Sequence, residues 1–336
     1  MNGAPATRAR MLAAALAVFA VMLFAYRLAP VNARSMETRT VTVAAGAGAA
    51  EIAADLASRS LIRSPALFTL YAFFSGSAHR LKPGIYQLSQ AMSARRIVAS
   101  LVAGPPEVTV RIREGASVAD IERVLVDAGV LEEGTLRALD VSTLAGRYPF
   151  LAEAATLEGF LFPDTYRFRF GEGAQEVAGR FLDSFSKKAL PHLLAGDAAL
   201  LRADWYQTLI TASLLEREVP SARDRRLVAG IFKKRLALGM ALQVDATVAY
   251  ALCGGYDDCP PLTKADFAVS SPVNTYQHPG LPPQPIANPG VGALTAALSP
   301  QSSPYLYYLP DPATGKTVFA ATFEEHNDNR AAYLSR

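Results

Sequence analysis

Two glutamates stand at the end of an apolar stretch, in the segment ASLLEREVPSARDRR at residues 212–226. The apolar residues before them cover nearly every direction around a helix, which predicts a helix enclosed by protein, and Pro220 predicts its end. Glu216 and Glu218 lie about 200° apart on such a helix, so only one of them can face a given cleft. Burial and the negative helix terminus both raise the pKa of a carboxyl group placed there, because both disfavour its charged form. A carboxyl group of this kind suits general acid catalysis at neutral pH.

Arginines close in sequence offer a structural alternative for each glutamate. A glutamate paired with one of them would only tie the helix to the following loop, and the candidates are Arg217, Arg223, Arg225 and Arg226. Position alone favours this structural role for each glutamate taken singly. Helix geometry does not select which of the two is functional.

Polar side chains in predicted loops supply further candidates. Glu158 begins the aromatic segment LEGFLFPDTYRF, which Pro163 interrupts and which we predict to be an ordered loop able to contact sugar hydroxyls. Gln243, Asp245, Asn274 and Tyr276 carry the hydrogen-bonding groups that a carbohydrate cleft uses. Asp245 has a structural alternative as the N-cap of the helix predicted over ATVAYAL.

A strand, a glycine turn and a helix recur twice in the N-terminal part. VTVAAGAGAAEIAADLASRSLI and VTVRIREGASVADIERVLVDAGVL align when Gly46 is laid over Gly115. Each combines a short alternating stretch with apolar residues at helical spacing. Between them, LKPGIYQLS predicts a hairpin strand, and SARRIVASLVAG predicts a helix with Ser93 as N-cap and Gly104 beyond its end.

The C-terminal part combines helices with a rigid proline-rich path. Ser221 and Asp224 stand at capping-box spacing and predict the start of a helix. The prolines of SPVNTYQHPGLPPQPIANPG exclude helix and central strand, and Asn288 is then predicted to be the N-cap of a short helix. The segment YLYYLPDPATGKTVFAATF predicts a hairpin with Tyr305 and Tyr307 on one face.

The N-terminus carries an apolar run preceded by positive charge. Arg8 and Arg10 precede an uncharged stretch at residues 11–26, and Arg27 can extend its charged head to the interface. The segment approaches the ~20 residues that cross a bilayer. We favour an uncleaved anchor over a cleaved signal, with the N-terminus in the cytoplasm and the rest of the chain outside it.

Composition agrees with a folded protein of two or more domains. The 336 residues include 51% hydrophobic and 19% charged residues, and the net charge of +3 gives no argument for nucleic acid. Cys253 and Cys259 can form a disulfide in an exported chain, with two free thiols as the alternative. Because the pair lacks histidine partners and a second CxxC, the sequence argues against a zinc site, and we predict no metal.

These segments, in this order, resemble the endolytic murein transglycosylase family, membrane-anchored enzymes that cut nascent peptidoglycan strands. The resemblance covers nearly the whole chain after the anchor. It begins with a LysM-like part containing LKPGIYQLS and continues through EGFLFPDTYRF, ASLLEREV, VAGIFKKRLALGMALQVDATVAYAL, SPVNTYQHPGLPPQPIANPG and SPYLYYLPD. The loop CGGYDDC departs from the family pattern.

The resemblance implies a site and a reaction. The family's acid is the second glutamate of an S-x-x-E-x-E pattern, which here is Glu218. The residues implied to line the substrate groove are Gln243, Asp245, Asn274, Thr275 and Tyr276. The implied reaction cleaves the bond between N-acetylmuramic acid and N-acetylglucosamine and leaves a 1,6-anhydro end. It needs no cofactor. It is expected to terminate strand elongation, with peptidoglycan synthases as expected partners.

Two other functions stay open at this point. A hydrolytic muramidase would use Asp245 or Glu158 as a second carboxylate. A non-catalytic scaffold would bind glycan through the repeated modules and recruit wall synthases.

We therefore expect an α+β protein with three parts. Residues 1–35 form the cytoplasmic tip and transmembrane helix, residues 36–135 a LysM-like α/β region, and residues 136–336 a larger mixed α/β catalytic domain. The expected location is the cytoplasmic (inner) membrane, crossed once, with most of the chain outside the cytoplasm.

Overall fold

The computed structural model describes residues 4–194, 204–219 and 221–334. The chain forms two compact units. The first comprises Met1–Val108 with Phe168–Glu172, and the second comprises Thr109–Arg167 with Gly173–Arg336. The mixed helix and strand content agrees with the expected α+β class, whereas the functional boundaries predicted at residues 35 and 135 stay predictions.

The first unit packs helices against a small antiparallel sheet. Its elements are α1 (Ala4–Leu28), β1 (Thr38–Val43), α2 (Ala49–Ser58), α3 (Pro65–Phe74), β2 (Gly84–Ser89) and α4 (Ala94–Ala103). β1 and β2 pair with Val41 opposite Tyr86, and both side chains are buried in the core. The strand and helix predicted here are confirmed, and the Ser93 side chain caps α4 by accepting a hydrogen bond from the Arg96 N–H at 3.2 Å. That this unit is LysM-like stays a prediction.

Helix α1 covers the segment predicted to be a membrane anchor. Among the residues described, no helix combines the length and the apolar character needed to cross a bilayer. Within α1, the side chains of residues 4–10, 12, 13, 17 and 20 lie outside the described part. The anchor therefore stays a prediction.

The second unit contains most of the helices. Its elements, two of which share residues with the first unit, are β3 (Glu107–Arg111), α5 (Val118–Asp127), α6 (Ser142–Ala145), β4 (Thr165–Arg169), α7 (Ala174–Lys188), α8 (Leu190–Leu193), α9 (Trp205–Glu218), α10 (Ala222–Ala237), α11 (Asp245–Cys253), α12 (Val291–Leu298), β5 (Tyr307–Pro310), β6 (Thr317–Ala320) and α13 (Phe323–Leu334). β3 pairs with β4, and β5 pairs with β6 as an antiparallel hairpin. The C-terminal hairpin is thus confirmed.

The repeated strand, turn and helix is present at both predicted places. β1 and β3 are each followed by a glycine with positive φ, Gly46 at 82° and Gly115 at 77°, and then by α2 and α5. A left-handed turn of this kind favours glycine because it has no Cβ. The prediction that LEGFLFPDTYRF is wholly a loop is wrong, since its last four residues lie in β4, where Tyr166 and Phe168 turn inward.

Helix α10 holds the C-terminal segment through its basic last turn. Lys234 Nζ donates hydrogen bonds to the carbonyls of Ser303 and Tyr305, at 2.5 and 2.9 Å. The buried Arg235 donates through Nε to the Leu306 carbonyl at 2.8 Å and through Nη1 to the Leu242 carbonyl at 2.8 Å. These bonds fix the hairpin against the loop that leads into α11.

Asn288 has a different role from the predicted N-cap. α12 begins at Val291 with Gly290 as its cap, so the prediction is wrong. Asn288 is fully buried, and its Nδ2 donates to the Ala116 carbonyl at 2.9 Å and to Glu158 Oε1 at 3.0 Å. Because every hydrogen-bonding group of a buried amide must be satisfied, Asn288 joins separate segments instead of starting a helix.

Replacing Gly230 with alanine should destabilise the second unit. Gly230 lies inside α10, where alanine would ordinarily be favoured by about 1 kcal/mol. Here a Cβ would collide with the backbone carbonyl oxygen of Gln301, a residue whose N–H donates a hydrogen bond to the Arg226 carbonyl at 2.8 Å. We expect a loss of about 1–3 kcal/mol, measured as a lower thermal midpoint. Gly146→Ala is the control, because Gly146 is the C-cap of α6 with helical φ and ψ and open space surrounds it, and an equal loss there would contradict the explanation.

Candidate active site

Helix α9 carries the two glutamates about 200° apart, but both line the same cleft, so the prediction that only one of them could face a given cleft is wrong. Its middle is enclosed, with Leu209, Ala212 and Leu214 fully buried. The helix ends at Glu218, and Pro220 lies outside the described residues. The 100° turn per residue then separates Glu216 and Glu218 onto opposite sides.

Glu216 is tied into the protein. Its side chain is only 3% exposed and forms an ion pair with Arg225 of α10. Its Oε2 accepts a hydrogen bond from the Gly290 N–H at 2.9 Å. Burial raises the pKa of Glu216, and the Gly290 N–H and Arg225 oppose that rise. Glu216 therefore links α9 to α10 and to the start of α12, the structural role that the sequence left open for either glutamate.

Glu218 borders open space. Its side chain is half-buried, and no lysine or arginine of the described chain forms an ion pair with it. Tyr308 Oη donates a hydrogen bond to Glu218 Oε1 at 3.2 Å. The carboxyl group lines a cleft of about 460 Å³ whose other walls include Arg113, Glu114, Arg217, Asp245 and Asp257. Glu216 also lines this cleft, but its carboxylate is bound to Arg225 and to the Gly290 N–H, whereas Glu218 has no such cationic partner among the described residues.

The surroundings of Glu218 raise its pKa to about 7. Burial is the largest cause, and the negative charge of Asp245 is the second. Hydrogen bonds from Tyr308 and from the Ala246 N–H act in the opposite direction because they stabilise the carboxylate. A carboxyl group with this pKa can give up and take back a proton near neutral pH.

Asp245 and Tyr276 form a second polar pair at the cleft. Asp245 is the first residue of α11 and Val244 is the N-cap, so the predicted capping role of Asp245 is wrong. The exposed Asp245 carboxylate accepts a hydrogen bond from Tyr276 Oη. Burial raises the pKa of Tyr276, and Asp245 raises it further, so the phenol stays a donor.

Gln243 precedes α11 in a constrained backbone conformation. It is exposed and has φ of 54°, in the left-handed region that non-glycine residues rarely adopt. Its N–H donates to the Thr275 carbonyl at 3.3 Å. Non-glycine residues in this region often occur at functional sites. Its predicted contact with substrate stays a prediction.

Asn274 and Thr275 are buried behind these groups. Asn274 Oδ1 accepts from the Tyr276 N–H at 2.9 Å, and Thr275 Oγ1 accepts from the Val244 N–H at 2.9 Å. Both residues are buried, with 0% of Asn274 and 1% of Thr275 exposed. They hold the backbone that presents Tyr276 and α11, and their predicted direct contact with substrate stays a prediction.

Glu158 lies in a different place from Glu218. It is 2% exposed and accepts hydrogen bonds from the Val118 N–H at 3.1 Å, from Tyr250 Oη at 3.2 Å and from Asn288 Nδ2. It lines a separate cavity of about 170 Å³, and burial raises its pKa to about 8. Glu158 is not among the described residues that line the Glu218 cleft.

Tyr308 is the site residue that sequence reasoning missed. The predicted hairpin placed Tyr305 and Tyr307 on one face, and the same alternation puts Tyr308 on the other. In the structure Tyr307 stacks with His326 and lies under the Arg235 guanidinium, whereas Tyr308 faces Glu218. The alternation along the strand therefore indicates that Tyr308 faces away from Tyr307, but only the fold shows that its partner is Glu218.

The two cysteines form a disulfide, so the alternative of free thiols is wrong. The bond closes the loop between Cys253 and Cys259. Asp257 in this loop lines the Glu218 cleft and forms ion pairs with Arg113 and Arg217. The loop between the two cysteines is thus one wall of the candidate site.

A profile of the YceG-like family matches residues 41–332. The chain belongs to the YceG-like family. The match spans both units and includes Glu218 and the other residues of the cleft. The resemblance seen in the sequence is thereby confirmed at the level of the family.

Two relatives and one solved structure extend the comparison. An endolytic murein transglycosylase of Bacillus subtilis (strain 168) is 29% identical over 92% of this chain and 88% of its own length. One of Streptococcus pneumoniae (strain D39) is 27% identical over 92% of this chain, which spans 60% of that longer relative. A crystal structure of a YceG-like protein from Listeria monocytogenes superposes with a TM-score of 0.55 at 30% identity, covering 88% of this chain and all of that one.

Replacing Asp245 with asparagine should lower the pKa of Glu218. The change removes the nearby negative charge that disfavours a second carboxylate, so the pKa of Glu218 should fall below about 7. The measurement is a carbon-13 NMR titration of labelled glutamate, with Glu218→Gln to assign the signal. Tyr308→Phe should have the opposite effect, because loss of the Tyr308 hydroxyl donor should raise the pKa of Glu218. Two shifts in one direction would contradict this account of the site.

Proposed function

We propose that this YceG-like protein is an endolytic lytic transglycosylase of peptidoglycan. Its reaction cleaves the bond between N-acetylmuramic acid and N-acetylglucosamine within nascent strands and leaves 1,6-anhydro ends. The observation that carries the proposal is Glu218, a carboxyl group with a pKa of about 7 at an open cleft and without a cationic partner among the described residues. The names of the relatives support the coarser activity.

One carboxyl group serves twice in the proposed mechanism. Protonated Glu218 donates its proton to the glycosidic oxygen while the bond to the anomeric carbon of the muramic residue breaks and positive charge develops on that carbon. The C6 hydroxyl oxygen of the same sugar then bonds to the anomeric carbon. Its proton passes to the Glu218 carboxylate, which restores the acid. The reaction consumes no water.

The surroundings of Glu218 suit both half-reactions. Burial and Asp245 favour the neutral acid that the first step needs, whereas Tyr308 and the Ala246 N–H stabilise the carboxylate that the second step needs. A pKa near the working pH balances proton donation and acceptance. Glycosidases that work with two carboxylates need a second group because a separate nucleophile or water must be supplied. An internal hydroxyl removes that need.

The exposed polar groups beside Glu218 form the proposed sugar-binding surface. Gln243, Asp245 and Tyr276 offer donors and acceptors to glycan hydroxyl and acetamido groups. Asn274 and Thr275 support them from behind through the hydrogen bonds described above. Glu158 is proposed to act at a distance, by fixing the start of α5 and Asn288.

Hydrolysis is the second candidate, and the position of Asp245 favours it. Asp245 is exposed on the same cleft as Glu218 and could activate a water molecule. The two reactions differ in product mass, because a hydrolysed strand gains one water and a reducing end. Mass spectrometry of the digest separates them, and reducing ends as the main product would refute the lytic reaction.

The cellular setting completes the proposal. We place the chain in the cytoplasmic membrane, anchored through residues 11–30, with both the LysM-like region and the catalytic domain outside the cytoplasm. Support comes from the apolar run with its preceding arginines and from the location of peptidoglycan itself. Cutting nascent strands there would terminate their elongation beside the peptidoglycan synthases, which we propose as partners.

Glu218→Gln should abolish release of anhydro ends from purified sacculi and leave the fold intact. Glutamine keeps the shape and removes the acid, so we expect a loss of at least about a hundredfold. Glu216→Gln is the matched comparison. It weakens a buried ion pair with Arg225, so it should lower the thermal midpoint while each folded molecule keeps most of its activity. Full activity of Glu218→Gln would refute the catalytic proposal and favour the non-catalytic scaffold.

A further inference from the structure

The Arg217 guanidinium lies on the same cleft as the candidate acid. Arg217 stands between Glu216 and Glu218 in the last turn of α9, and its side chain is only 19% exposed. Burial lowers the pKa of Arg217 because it disfavours the charged guanidinium. A guanidinium removed from water therefore needs a compensating partner. That partner is Asp257, while the Gly115 carbonyl accepts a second hydrogen bond at 3.2 Å.

Without Asp257, Arg217 would have Glu218 as an available partner. The charges of Asp120 and Glu158 also act on Arg217, but Asp120 is paired with Arg113 and Arg123. Glu158 is hydrogen-bonded to Tyr250 and Asn288, and Glu216 is already bound to Arg225 and to the Gly290 N–H. Glu218 follows Arg217 directly in the chain and opens on the same cleft. A cation beside a carboxyl group favours its charged form and lowers its pKa, commonly by 1–3. An arginine that swung to Glu218 would therefore convert the acid into a carboxylate at neutral pH.

Asp257 is fixed by its backbone as well as its side chain. Its N–H donates to Asp120 Oδ1 at 3.1 Å, and the buried Asp120 belongs to the capping box that begins α5 with Ser117. The disulfide between Cys253 and Cys259 closes the loop around it. Asp257 also binds Arg113, so the two cations among the described cleft residues share one carboxylate.

We propose that Asp257 is a positioning residue that holds Arg217 and Arg113 away from Glu218, so that the acid keeps no cationic partner. The proposal rests on the function assigned to Glu218 above, and it gives the disulfide loop CGGYDDC a role in that function. Asp257 acts through the arginines and touches neither the acid nor the reacting bond.

Several other groups act on Glu218 and must stay constant in a test. They are Asp245 of α11, Tyr276 of the loop after α11, Tyr308 of β5, Glu114 of the turn after β3 and Glu216 of α9. Arg235 of α10 acts on the pKa of both tyrosines. Substitution of Asp257 alters none of these side chains. A change in the titration of Glu218 then reports on the two arginines and on the loss of the Asp257 charge itself, which lines the same cleft.

The test compares Asp257→Asn with a rescue variant in the full chain. Asparagine keeps the size of the side chain and removes its charge, so the arginines are released. The carbon-13 titration of Glu218 and the basic limb of the kcat/KM profile on sacculi should both move to lower pH by about one unit or more. Above that limb kcat/KM should fall about tenfold. Adding Arg217→Gln to Asp257→Asn should return both midpoints toward those of the parent.

Asp258→Asn is the matched control. Asp258 lies in the same loop but is 72% exposed and pairs with Arg123, so its loss should leave the titration of Glu218 unchanged. Asp257→Ser gives a second charge-removing variant if asparagine impairs folding, which thermal melting detects. An unchanged Glu218 titration in folded Asp257 variants, or a shift that persists after both Arg217→Gln and Arg113→Gln are added, would overturn the proposal. A shifted titration with no anhydro product from the parent would instead refute the proposed function and leave this inference standing.

Discussion

The cleft depends on a carboxyl group kept free of cations at the end of a buried helix. Arginines are plentiful around that helix end, and any of them could neutralise the acid by pairing with it. Four arginines there have other partners: Arg225 binds Glu216, Arg113 and Arg217 bind Asp257, and Arg235 binds backbone carbonyls. The protonation state of Glu218 thus depends on arginines that are paired with other groups as well as on the residues that contact Glu218 directly.

The same site must also tolerate the charged form of the acid. Tyr308 and the Ala246 N–H provide two donors for the carboxylate, and neither carries a positive charge. Neutral donors stabilise a carboxylate less than a guanidinium does, so they leave the proton exchangeable. The negative charge of Asp245 in α11 acts in the opposite direction and raises the pKa of Glu218. The result is a group whose two protonation states are close in free energy at neutral pH.

Local features of this fold were predictable from the sequence. The divergence of Glu216 and Glu218 follows from helix geometry, and the enclosure of α9 follows from apolar residues on all its sides. The cap at Ser93 and the repeated glycine turns follow from the preferences of single residues. These features depend on neighbours within one or two turns, which is the range over which sequence spacing is informative.

The long-range choices were not predictable in this way. Four nearby arginines were candidate partners for a glutamate, and only packing of α9 against α10 selects Arg225 for Glu216. Tyr308 reaches Glu218 across 90 residues of chain. Asn288 carries a sequence typical of an N-cap, but tertiary hydrogen bonds override that preference because the amide is fully buried. Such contacts depend on which segments meet, and spacing does not encode that.

The hydrogen bonds from Lys234 and Arg235 to the backbone of residues 303–306 have a consequence for biosynthesis. The tyrosine donor of Glu218 lies 90 residues further along the chain, close to the carbonyls that hold α10. A nascent polypeptide therefore carries Glu218 before the pocket around it can form. Assembly of the centre waits for synthesis of residues 303–308, and a product that ends before them lacks it.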